Sequence, residues 1–418
     1  VGRLGALRQN TILVNAFYLG IIQVVNYIFP LATIPFLIKV LGVSGYGTIA
    51  FSQVIVSYIC TIADYGFNMS ATRDISVNRG SPEKVNRIFH NVIATKMLLA
   101  IGCLIPVVCA IFLLRTFEGF REVYLITTIF VLGQVIFPSW LYQGFENMRS
   151  LAVFNSVFKF VFTVAVFACV RSIADISLVA WMYVLGSLVS GLAAFIYAYK
   201  KYRLSPVWPT IGEIRELLKG GFDVFLPSFF SSVLNSGGVL VLGFFFSATL
   251  VGYYTGIDRL VKAGVTLLST VTQSMFPNIA ERFTTDKASA VEKIKSIGKK
   301  IVMLVSIATI VVGFFAGQFL SVLYDDSYRK YGYVLILLMI WSLIAFINNF
   351  VGIQFLVGSG QGRIYRRAFT VSGITMFFSL VVIKFWDING VLFSTLLGES
   401  VLLLSMIYLI KRNNLHAY

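Results

Sequence analysis

Apolar residues run along this chain in long blocks, and polar residues collect in the short gaps between them. Twelve blocks can be drawn, at about 11–40, 46–70, 88–114, 122–145, 151–170, 176–199, 220–246, 250–277, 300–323, 332–357, 367–385 and 389–410. A helix needs about 20 apolar residues to cross a hydrocarbon core of roughly 30 Å. In lipid the backbone must satisfy its own N–H and C=O groups, so open runs of this length predict helices. The expected fold class is an all-α polytopic membrane protein with about 12 transmembrane helices.

The gaps carry helix-start signals. Thr210-Ile-Gly-Glu213 and Ser289-Ala-Val-Glu292 have the spacing of capping boxes, each followed by an apolar face. Both predict short interfacial helices that anchor the next span. Ser81-Pro82 predicts another start, with proline at the first helical position.

Composition agrees with the pattern: 58% of residues are hydrophobic and 12% charged, against roughly 25% charged in soluble domains. The net charge of +16 would suggest nucleic acid in a soluble protein, but here Lys and Arg sit in short loops, so topology explains them and no nucleic-acid partner is expected. Loops on the N-terminal side carry 23 Lys and Arg, those on the other side 7, which predicts both termini in the cytoplasm. Arg3 and Arg8 precede the first run, which continues to about Val40 without a small-residue cleavage site, and this reads as a retained first span. Cys60, Cys103, Cys109 and Cys169 lie inside apolar runs without a C-x-x-C pair, and His90 and His416 are too few for a metal site. No metal or cofactor is expected.

The chain shows an internal echo. Gly45-Tyr46 aligns with Gly252-Tyr253, and Gly144 and Arg149 align with Gly358 and Arg363, at nearly equal offsets and in matching topological places. This favours a duplication of six spans in the same orientation. The expected division is residues 1–199, a cytoplasmic linker at 200–219, and residues 220–418.

Ionisable residues at bilayer depth mark candidate chemistry. They are Asp64, Lys96, Lys159, Asp258, Arg259, Lys262 and Glu399. Asp258 and Lys262 share a helix face, and Arg259 neighbours Lys262. Arg259, Lys262, Lys96 and Lys159 are candidate cations for an acidic or phosphate-bearing substrate; the bland alternatives are charges that fix helix packing, or snorkelling. Asp64, Asp258 and Glu399 are candidates for a coupling proton or sodium ion, and Asp64 could instead pair with Arg73. Pro30 and Pro35 should kink the first span, and Gly42 and Gly45 form a tight turn after it, so these four are hinge or gate candidates. No phosphate-binding loop, dinucleotide fingerprint or H-E-x-x-H motif is present.

Two stretches carry a family resemblance. Pro35-Phe-Leu-Ile-Lys-Val-Leu-Gly-Val-Ser-Gly-Tyr-Gly47 with Asp64-Tyr-Gly-Phe-Asn-Met-Ser-Ala-Thr-Arg-Asp74 closely resembles the Wzx-type O-antigen and polysaccharide-repeat flippases, and Pro138-Ser-Trp-Leu-Tyr-Gln-Gly-Phe-Glu146 resembles their fourth-span motif. Val251 to Asp258 and Phe276-Pro-Asn-Ile279 resemble the eighth span of that family. The resemblance implies two six-helix lobes around a central cavity, and alternating access coupled to an ion gradient, H+ or Na+. It implies a lipid-linked oligosaccharide on undecaprenyl pyrophosphate as substrate, flipped to the periplasmic leaflet of the bacterial inner membrane. It also implies membrane lipids, an O-antigen polymerase and a chain-length regulator as partners, and no enzymatic activity. Two rivals stand beside it: a drug or small-cation exporter of the same fold, and a membrane O-antigen polymerase. The short loops opposite the basic side argue against the polymerase.

Overall fold

The computed structural model describes the backbone of residues 2–413 and, of the side chains, those of Val25, Phe29 and residues 31–413 except Asp223. The described residues form helices and turns without strands. Helix α1 covers Gly2–Asp64, 63 residues. At 1.5 Å per residue that is roughly 95 Å, three times a hydrocarbon core, so it cannot be one straight span. Its backbone leaves helical geometry at Gly42 (φ 71°, ψ 167°), a left-handed value that glycine adopts without a Cβ penalty. The first two predicted spans meet there. Pro35 lies in helical backbone, and the break follows it at Gly42; the side chain of Pro30 lies outside the described residues.

The chain then forms α2 (Phe67–Val77), α3 (Pro82–Leu113), α4 (Arg121–Thr128), α5 (Phe130–Ile136), α6 (Ser139–Gly144), α7 (Met148–Cys169), α8 (Ile176–Lys201) and α9 (Ile211–Phe245). After these come α10 (Ala248–Thr285), α11 (Lys287–Phe314), α12 (Ala316–Leu323), α13 (Gly332–Asn348), α14 (Gly362–Ser379) and α15 (Ile383–Arg412). Residues Asn349–Val357 continue α13 as a π-helix. Among the described residues, nine stretches are long and apolar enough to cross a membrane. Gly362–Arg412 contains two of the predicted spans, and Leu31–Val77 contains the second with the end of the first. Helix α10 is long enough at 38 residues but is too polar to count among the nine: Asp258, Arg259 and Lys262 lie within one turn and a half, and Thr, Ser, Gln and Asn recur after them. With these, about twelve spanning helices result.

Two helix starts differ from expectation. Helix α11 begins at Lys287, because Asp286 Oδ1 accepts from the Ser289 N–H at 3.1 Å and caps the helix ahead of the expected box. Ser289 instead takes the Arg282 guanidinium on its hydroxyl at 2.6 Å. The Thr210–Glu213 box does form, with Thr210 N–H reaching Glu213 Oε2 at 2.8 Å. Helix α9 continues from it through Gly220-Gly221 into the seventh span, so the interfacial segment and the span are one helix.

The chain divides into two compact units, Val1–Phe229 and Phe230–Tyr418, with the division inside α9. Each unit has a core where the ends of corresponding spans meet. In the first, Phe67 and Ile75 of α2, Phe89 and Val92 of α3, and Trp140 and Tyr142 of α6 pack together. In the second, Ile279 and Phe283 of α10, Ala290 and Ile294 of α11, Phe346 of α13 and Phe350 of its extension do so. A Cβ on Gly144 would lie 2.6 Å from Ile75 Cγ2 of α2; one on Gly358 would lie 2.3 Å from the Gln354 carbonyl oxygen and 3.5 Å from Phe283 of α10. Between helices in lipid there is no hydrophobic gain, so close approach of small residues supplies the packing. The contact of α5 with α8 is such a place: a Cβ on Gly133 would sit 2.4 Å from the Ser187 carbonyl carbon.

Candidate functional site

In the first unit, the Asp64-Tyr65-Gly66 stretch ends α1. Tyr65 (φ 46°) and Gly66 (φ 79°) are both left-handed, which stops the helix and starts α2 in a new direction. Gly66 lies against α9, where its Cβ would be 2.7 Å from Val224 Cγ1. Tyr65 stacks on Phe225, with centroids 4.6 Å apart. The second resemblance stretch docks on the same element. Ser139 Oγ donates to Asn68 Oδ1 at 2.6 Å, and Thr72 Oγ1 donates to the Trp140 carbonyl at 3.2 Å. Arg79 reaches the Gly144 carbonyl at 2.6 Å and Glu146 at 2.7 Å. The two stretches that carry the resemblance therefore pack together through α2 and α6.

Asp64 sits at the end of α1, where carbonyls lack helical partners and the helix dipole is negative. Lys96 of α3, 4% exposed, places its Nζ 3.0 Å from Asp64 Oδ1. Arg73 pairs with the adjacent Asp74. Lys159 is half-buried on α7.

The linker before α9 is tied to α3. Asn86 exchanges hydrogen bonds with Ser205, through Asn86 Nδ2 to Ser205 Oγ at 3.1 Å and Ser205 N–H to Asn86 Oδ1 at 3.0 Å. Arg87 bonds Glu213. The Thr210 N–H, then the Arg87 guanidinium, hold the Glu213 carboxyl down to about 2.

In the second unit, α10 carries the densest charge. Lys262 Nζ lies 2.8 Å from Asp258 Oδ2 and donates to the Asn235 carbonyl of α9 at 2.6 Å. Asp258 is 6% exposed and Arg259 half-buried. The Tyr254 hydroxyl, one turn earlier, bonds Thr395 of α15. Two tyrosines anchor the start of α10: Tyr328 donates to the Gly252 carbonyl at 3.1 Å and Tyr324 to the Gly256 carbonyl at 2.8 Å. Glu399 of α15 accepts from Asn348 Nδ2 at 2.5 Å.

The structure therefore brings Lys96 to Asp64, Lys262 to Asp258 and Asn348 to Glu399. Asp64 with Lys96 sums to zero formal charge; Asp258, Arg259 and Lys262 sum to one positive charge. Sequence reasoning did not single out Asn348, Gln354 or the π-helix that follows Asn348. Asn348-Asn349 and Gln354 interrupt an otherwise apolar run, which was the available signal.

The polysaccharide biosynthesis protein family model matches residues 12–283, well over half of the chain. The chain belongs to that family. It is 25% identical over 403 residues to the "Putative O-antigen transporter" of Escherichia coli (strain K12), covering 96% of each chain. The fold is that of two solved transporters. The lipid II flippase MurJ in an inward closed conformation superposes with a TM-score of 0.71 at 13% identity, covering 96% of this chain and 87% of that one. A multidrug resistance MATE family transporter in an inward-facing conformation gives 0.68 at 14%, covering 94% and 97%. The chain is a multi-pass membrane protein of the transporter class and not an enzyme.

Proposed function

We propose that this family member is a flippase for an oligosaccharide linked to undecaprenyl pyrophosphate. It moves the sugar from the cytoplasmic to the periplasmic leaflet of a bacterial inner membrane by alternating access, with both termini in the cytoplasm. The observation that carries this reading is the full-length likeness to an O-antigen transporter. The charge on α10 supports it physically. A pyrophosphate leaving water needs its negative charge compensated, and Arg259 with Lys262 offers that charge at bilayer depth. Lys159 is a second cation for the same role. Lys96 acts first on Asp64, so its part in holding substrate is smaller. Residues 1–199 and 220–418 act as the two lobes, joined by 200–219, and the Gly42–Gly45 turn with Pro30 and Pro35 forms the gating element. Coupling is to a monovalent cation gradient through one of Asp64, Asp258 and Glu399. An O-antigen polymerase and a chain-length regulator consume the product.

The test is translocation of the lipid-linked oligosaccharide in proteoliposomes. Arg259→Ala and Lys262→Ala each lower the rate by at least tenfold at equal incorporation. Full activity in both would remove the charge-compensation role. Efflux of a cationic dye, with no movement of lipid-linked sugar, would favour the drug-exporter reading.

A further inference from the structure

The three acids at bilayer depth differ in what neutralises them. Asp64 has the Lys96 ammonium at 3.0 Å, and Asp258 has that of Lys262 at 2.8 Å. Glu399 enters none of the described ion pairs. The groups facing it are neutral: Asn348 Nδ2 reaches its Oε2 at 2.5 Å and its backbone carbonyl at 2.9 Å. Trp341, also of α13, adds a side-chain hydrogen bond, and the Tyr365 ring of α14 lies close by. From α9, Leu234 approaches the neighbouring Gly398. A carboxylate at this depth without a cation bears most of the cost of dehydration, and a bound proton removes that cost.

Asn348 supplies the second observation. It is 4% exposed, and its Oδ1 has no hydrogen-bond partner. An amide carries both donor and acceptor, so a half-turn of this side chain exchanges an N–H for a C=O at the carboxyl. The N–H suits a carboxylate; the C=O suits a carboxylic acid O–H. Nearby backbone is irregular. The π-helix Asn349–Val357 starts at the next residue, and such segments recur where helices serve function. The buried Oδ1 of Asn349 and Oε1 of Gln354 within it also lack partners.

We propose that Glu399 is the protonation site that couples a proton gradient to transport, with Asn348 as the positioning residue that follows its state. This rests on the transport reading above and selects one of the three candidate acids. The step is proton binding alone, carboxylate plus proton to carboxylic acid on one side and release on the other.

Two measurements on the full-length protein in proteoliposomes decide it. Infrared difference spectra between neutral and acidic pH should show a protonated-carboxyl band. Glu399→Gln abolishes that band, Asn348→Ser shifts it, and Asp64→Asn and Asp258→Asn leave it in place. In the transport assay, an imposed pH gradient stimulates wild-type translocation, and the ratio of rates with and without the gradient falls to one in Glu399→Gln. The infrared readout keeps the proposal testable if Glu399→Gln incorporates poorly, since Asn348→Ser reports on the same band. A band and a stimulation that both survive Glu399→Gln overturn the proposal. So does stimulation by a sodium gradient with no response to pH. If the wild type moves no lipid-linked sugar, the transport reading fails, and the infrared band still decides whether Glu399 takes the proton.

Discussion

Replacing Gly66 by alanine adds one carbon at a place with two separate objections to it. The backbone is left-handed, with φ 79°, which disfavours an L-residue by about 1–2 kcal/mol. The new carbon also meets α9, at 2.7 Å from Val224 Cγ1, 2.9 Å from Val224 Cβ and 3.2 Å from the Phe225 nitrogen. Overpacking of this kind costs about 1–3 kcal/mol. Gly42 is glycine for a different reason: nothing lies within 4 Å of a Cβ there, but its φ 71°, ψ 167° falls in a region essentially reserved for glycine. The overpacking part of the Gly66→Ala loss, about 2 kcal/mol, is roughly 30-fold in the ratio of folded to unfolded protein. The assay is unfolding of each purified variant in mixed micelles with rising SDS, followed by tryptophan emission. Val224→Ala in the Gly66→Ala background removes the 2.7 Å contact and leaves that to Cβ, so it should restore part of the loss. If Val224→Ala restores nothing in the Gly66→Ala background, then close packing on α9 is not why the stretch contains glycine.

Other consequences follow from the same geometry. Lys96→Ala leaves Asp64 with an uncompensated charge and should cost about 3–5 kcal/mol, whereas Asp64→Asn combined with Lys96→Met should recover most of it; SDS unfolding of the three proteins measures this, and equal losses would refute a charge-pair origin. Glu213 is held at about 2 in the folded protein, below its usual value of about 4.3. The sign is that of a depressed carboxylate: its stabilisation is complete above about 4.3 and is lost as pH falls towards 2. Acid release of the linker should appear as increased Trp208 mobility in fluorescence anisotropy and be absent from Glu213→Gln. Trp208 and Ile211, 92% and 87% exposed, are the most exposed of the large apolar residues described and lie outside the spans. Trp208 should rest in the membrane interface, so brominated lipids quench wild-type emission more than that of Trp208→Phe; equal quenching would place the linker in water.

Much of the fold is legible in order of residues. Apolar run length dictates helices because a lipid-embedded backbone has no other partner for its polar groups, and this holds whatever the neighbours are. The resemblance of residues 35–74 and 138–146 was readable as spelling, but its physical reason was not. Only the folded chain shows that these stretches dock on each other through Asn68, Thr72, Ser139 and Trp140. The turn before residue 46 was expected at Gly42, and the helix breaks there, while Pro35 lies in helical backbone. The repeat was visible as two glycine matches; of the second, the structure adds that a Cβ on Gly144 would meet Ile75 and one on Gly358 would meet Gln354 and Phe283.

The candidate site divides in the same way. Sequence by itself determined that Asp258 and Lys262 share a face, because helical rise and periodicity are local properties. Tertiary structure decided which charges cancel. Lys96 reaches Asp64 across 32 positions of sequence, and Glu399 finds Asn348 across 51. Partnership at such separations is set by how helices pack, which residue spacing along one helix cannot encode. That is why the chain read alone offered three candidate acids, and the folded chain leaves Glu399 among neutral neighbours.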